Sequence, residues 1–127
     1  MKHRVVLQFA ERAQFIMETR DDETPTVKGL LESLPFESVV NRWGEEIYFD
    51  VPFSAPLETD ARAEMDVGEV AFWPTGNALA IFFGPTPAST GPRPRAYSEC
   101  NTVGRVLENV SEMTRIAPGA SVRIERA

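Results

Sequence analysis

Residues 70–87, Val-Ala-Phe-Trp-Pro-Thr-Gly-Asn-Ala-Leu-Ala-Ile-Phe-Phe-Gly-Pro-Thr-Pro, leave this chain few ways to fold. Two apolar runs, Val70–Trp73 and Ala78–Phe83, are joined at Pro74–Asn77. Gly76 and Asn77 accept the positive φ of a tight reversal, and Pro74 cannot donate to a ladder. The pattern predicts a β-hairpin too apolar to be left in water. It ends at Gly84–Pro87, where two prolines stop the strand. An aromatic pair, Phe82 and Phe83, beside a Gly/Pro exit is a place where a concave site can form.

The remaining composition narrows the classes. At 127 residues the chain suits one compact domain, taken as residues 1–127. A formal net charge of −6 disfavours nucleic-acid and anionic-membrane partners, both of which need a basic face. Cys100 is the only cysteine and His3 the only histidine. Internal disulfides, a Cys/His metal cluster and Ser-His-Asp chemistry are therefore not expected, and neither a metal nor a cofactor is assigned. No apolar run has membrane-spanning length and the start lacks a signal-peptide core, so a soluble cytoplasmic protein is expected.

Before the central hairpin, Val5, Leu7 and Phe9 alternate with polar positions, predicting an opening hairpin of His3–Phe9 with Ala13–Thr19. The period then changes. Thr24 suits a helix cap and Pro25 the first helical position, and Val27, Leu30, Leu31 and Leu34 form one helical stripe ending at Pro35. Phe36–Trp43 and Glu45–Val51 read as a pair of strands turning at Gly44. Leu57–Glu64 and Pro85–Pro94 read as loops. Thr102–Val106 reads as a strand, a short helix follows from Asn109 or Ser111 to Ile116, and a last strand carries Val122 and Ile124. By these rules there are about eight strands and two short helices. Short connections between strands favour a closed antiparallel eight-stranded β-barrel, since closure removes exposed edges.

Several stretches resemble a known family. The run Ala80-Ile-Phe-Phe-Gly84, then Val103-Gly-Arg-Val-Leu-Glu-Asn-Val-Ser-Glu-Met113, resembles cyclophilins, in which a Phe-Phe strand lines the proline cleft. Leu34-Pro-Phe-Glu-Ser-Val-Val-Asn-Arg-Trp-Gly-Glu-Glu-Ile-Tyr-Phe49 and Gly68-Glu-Val-Ala-Phe-Trp-Pro-Thr-Gly76 are similar to the small stand-alone cyclophilin-like proteins of bacteria and archaea. The resemblance covers residues 3–126 and implies a cyclophilin-like barrel. It carries Phe83 over as the proline-pocket aromatic. The isomerases' arginine-bearing strand has no counterpart in Glu45–Met65, and Ile81 stands where their glutamine precedes the Phe pair.

Rotation about an imide bond faces a barrier of about 18–20 kcal/mol, and lowering it requires a seat for the ring and a donor aimed at the amide. Phe83, Trp73 and Phe72 are candidates for the seat. Arg62 and Arg93 lie in loops able to fold over a cleft, and Asn41 and Trp43 share one face of their strand. These seven are the candidate ligand-binding residues, and no residue is assigned a catalytic role. Adjacent Glu45 and Glu46 point to opposite faces of a strand, which argues against a carboxylate pair. The expected function is binding of a proline-containing peptide or small-molecule ligand at a degenerate isomerase site. The alternative is a weak peptidyl-prolyl isomerase that uses a relocated arginine.

Overall fold

A computed structural model describes residues 1–10 and 13–127. The strands in chain order are β1 (Arg4–Phe9), β2 (Ala13–Thr19), β3 (Phe36–Val39), β4 (Asn41–Arg42), β5 (Glu46–Asp50), β6 (Arg62–Glu64), β7 (Glu69–Trp73), β8 (Ala78–Phe82), β9 (Arg95–Val106) and β10 (Ser121–Arg126). Helix α1 spans Pro25–Ser33, and a single 3₁₀ segment spans Val110–Arg115. The turn expected between β1 and β2 contains Glu11 and Arg12, which lie outside the described residues. No helix among the described residues is long and apolar enough to cross a membrane.

The closed eight-stranded barrel expected above does not form. The strands make one ten-stranded antiparallel sheet in the order β3-β10-β1-β2-β9-β7-β8-β5-β4, with β6 on β9 beside this path. The path has two ends, and the reason lies in residues 36–43. They were expected to pair as one strand with 45–51, but they divide at Val40. β3 pairs with β10, whereas β4 pairs with β5. Val40 itself bonds Ala120 and Gly119. Across the gap, the Ser38 hydroxyl donates to the Asp50 carbonyl at 2.7 Å, so a side chain stands where a closing ladder would be. Of the two expected helices only the first is an α-helix.

Local chemistry explains α1. The Thr24 hydroxyl accepts from Val27 N–H at 3.2 Å, Pro25 opens the helix, and Val27, Leu30 and Leu31 are buried. The helix packs where Phe53 stacks on Phe72, with centroids 5.2 Å apart. The main core gathers inward residues of most strands, among them Leu7, Met17, Phe49, Leu79, Ile81 and Ile124.

A second, smaller interior lies on the other face of β7 and β8. It holds Met65, Ala71, Ala80, Phe82, Ala96 and Cys100, with Tyr48 and Trp73 packed against it. All five residues of β8 are buried because Leu79 and Ile81 enter one interior while Ala80 and Phe82 enter the other. This accounts for the unbroken apolarity of the central hairpin. The cover over the second interior comes from β6 and the first half of β9.

Candidate functional site

The second interior is incompletely filled, and its open part is a cavity of about 160 Å³. Strand register places its lining. Tyr48 lies opposite Ala80, and Trp73 lies opposite Ala78. Partners directly across an antiparallel pair project to the same side, so Tyr48 and Trp73 rise over a floor of alanines. Methyl groups there leave the space that larger side chains would fill.

The β4–β5 reversal supplies the next two residues. Trp43 and Glu46 exchange backbone bonds, 3.0 Å from Trp43 N–H to the Glu46 carbonyl and 3.2 Å in return. The two-residue loop between them begins at Gly44, whose φ of +60° a side chain would strain. Trp43 and Glu46 therefore face the cavity together. β9 adds Ala96, Tyr97 and Cys100. The Tyr97 ring stands edge-on to both indoles, with centroids 6.0 Å from Trp43 and 6.0 Å from Trp73. Tyr97 is 75% exposed and forms the rim.

Two contacts hold Trp73 in place. Its Nε1–H donates to Ser98 Oγ at 2.6 Å, which leaves the indole face rather than its N–H for a visitor. The indole also lies over Gly76, where a Cβ would overlap its six-membered ring.

Glu46 is the unusual member. It is 8% exposed, and its buried Oε1 has no hydrogen-bond partner among the described residues. Burial pushes its carboxyl up to about 8. The Cys100 thiol is pushed up to about 12, first by burial and second by the charge of Glu46. Its Sγ donates weakly to the Ser98 carbonyl at 3.4 Å, so it is a thiol without thiolate character. Among the described residues, no group of three or more His, Cys, Asp or Glu side chains is arranged to hold a metal ion.

Of the seven candidates from the sequence, Trp43 and Trp73 come together at this cavity. Asn41 lies on the same strand face as Trp43, opposite Tyr48, and is exposed. Phe72 is buried in the main core against Phe53. Phe83 belongs to that core too, 7% exposed, with the Arg42 guanidinium 5.1 Å above its ring. Arg42 is held there by the carbonyls of Gly44 and Thr114. Arg62 forms a two-pronged pair with Glu69. Arg93 bonds the Met65 carbonyl at 3.1 Å and the carboxylates of Glu64 and Asp66. These two arginines fasten the cover rather than reach into the cavity.

Sequence reasoning reads Glu46 and Tyr48 as part of a solvated outer face, and it does not single out Tyr97 or the alanine floor. One signal was present: a strand apolar on both faces, Ala78–Phe82, demands a cover on each side, and Glu46 and Tyr48 share a face with its alanines.

The comparisons with known proteins agree with this architecture. The solution structure of the hypothetical protein AF2241 from Archaeoglobus fulgidus matches with a TM-score of 0.84 at 33% identity, covering 99% of this chain and 95% of that one. No curated protein matches the chain. The family model described as cyclophilin-like matches residues 3–125, and the chain belongs to that cyclophilin-like family.

Proposed function

We propose that this protein is a binding module that takes a small molecule, or one side chain of a peptide, in the cavity walled by Trp43, Trp73 and Tyr97. The observation that carries this reading is an open, aromatic-walled space over an alanine floor, lined by a buried carboxyl group. The proline seat of the isomerases points the other way. Its aromatic, Phe83, is packed in the main core and covered by Arg42.

Both tryptophans of the chain line the cavity, so intrinsic emission reports on its contents. A fragment set titrated against the wild type is expected to yield ligands that shift this emission. Ala80→Phe fills the floor and is expected to abolish the shifts while far-UV circular dichroism stays unchanged. Shifts that persist undiminished in a folded Ala80→Phe protein would falsify the placement.

A second reading rests on the position of Arg42. Its guanidinium is next to Phe83 and would have to move off that ring to expose a proline seat and face a bound imide. A protease-coupled Xaa-Pro assay decides it. A rate above the spontaneous one that disappears in Arg42→Ala supports this reading, and no such rate removes it.

A further inference from the structure

We infer that the cavity selects an organic cation, an alkylated ammonium head group, which the aromatic rings surround and the Glu46 carboxylate neutralises. This rests on the reading of the cavity as a binding site and adds the chemistry of its occupant.

Two independent features point to positive charge. The lining is rich in aromatic side chains, Trp43, Tyr48, Trp73 and Tyr97, with both indole centroids 6.0 Å from that of Tyr97. Ring faces attract cations, most strongly when water is excluded and the ring is indole. Separately, a carboxyl group lines the same space, nine-tenths buried, with one oxygen lacking any partner. An unpartnered buried polar atom is costly, so a fold that retains one calls for an explanation. A neutral apolar ligand would leave Glu46 Oε1 as unpaired as before. A phosphate or carboxylate ligand would meet repulsion from the electron-rich aromatic lining, and from Glu46 once that group is ionised. A cationic head suits the aromatic lining and neutralises the ionised carboxylate by charge, without an N–H donor.

Among the described residues, no cation serves Glu46 in its place. The titratable groups facing it are Tyr48 from its own strand and Tyr97 and Cys100 from β9. From β8 and β7 it meets Ala80, Phe82 and Trp73. The nearby Arg42 projects to the opposite face of the β4–β5 pair, over Phe83.

The arrangement links binding to protons. With its carboxyl pushed up to about 8, Glu46 is largely protonated at neutral pH when the cavity holds no cation. An incoming fixed cation favours the ionised form, so Glu46 releases its proton on binding. Affinity then rises with pH up to about 8 and levels off above it, by as much as tenfold per pH unit on the rising limb.

Choline and dimethylbutanol test this, because they differ only in nitrogen against carbon at the branched centre and neither titrates in the range used. Calorimetry and tryptophan emission at about pH 9 are expected to show choline binding at least about tenfold more tightly than dimethylbutanol. The preference is expected to shrink at about pH 6, and choline binding near neutrality is expected to release a proton, read as a buffer-dependent heat. Glu46→Gln keeps the shape and is expected to reduce the choline preference to the part that the aromatic lining supplies, and to remove its pH dependence. A peptide carrying trimethyllysine that binds more tightly than choline assigns the head group to a protein side chain. Equal or weaker binding assigns it to a free amine.

Dimethylbutanol binding as well as choline overturns the cation inference and leaves the binding site standing, and a choline preference undiminished by Glu46→Gln overturns the part assigned to Glu46. Binding of neither compound overturns both.

Discussion

Glu46 couples the cavity to the stability of the domain. Its carboxyl titrates near 4.5 when unfolded and at about 8 when folded, so between those values the folded protein holds a proton that the unfolded chain has lost. Stability is therefore greatest below the lower value, falls as pH rises through this window, and is flat above it. The slope contributed by this one group is at most about 1.4 kcal/mol per pH unit. Glu46→Gln removes that slope. Urea unfolding at about pH 5 and about pH 9 is expected to show the variant gaining on the wild type at the higher pH, and a difference that does not change with pH would contradict the assignment. In the sequence Glu46 looks like half of an acidic pair on a strand that alternates toward water. Its partners on β9 are fifty or more residues away along the chain, and nothing local announces that they cover it.

Elements whose stabilisation is local were the ones readable from the chain. The helix is one. Thr24, Pro25 and the stripe through Leu31 are all within one or two turns of each other, and the structure repeats them. Thr24→Ala is expected to cost about 1 kcal/mol, measured by urea unfolding, because Val27 N–H loses its acceptor. The central hairpin is another, its reversal marked by Asn77 at φ +49°. The elements that escaped notice build the second interior. β6 is the polar triplet Arg62–Glu64, read as loop because its strand character comes from pairing with β9. β9 begins at Arg95 rather than Thr102. Its first half turns only Ala96 and Cys100 fully inward, small residues that give weak alternation. The division at Val40 was equally hidden, since β-branched residues suit a strand without naming its partner.

For the molecule as a whole, the consequence of an open path is uneven protection. β8 is central, paired on both sides and buried throughout, whereas β3 and β4 terminate the sheet. Opening β8 exposes two interiors at once, so its amides are expected to exchange only by global unfolding, while those of β3 and β4 exchange by local opening. Native-state hydrogen exchange checks this, and equal protection across β3, β4 and β8 would speak against the described topology. The family assignment and the mostly-β architecture were accessible from sequence because patterning and motifs span the whole chain. Closure was not, because it depends on whether two distant edges meet.

The double burial of β8 also separates two kinds of change. Leu79 and Ile81 support the fold from one side, while Ala78 and Ala80 shape the recess from the other. Substitutions at the alternating small positions can therefore recut the recess for a different guest without disturbing the scaffold beneath it. Relatives that share this framework are free to diverge in what they hold.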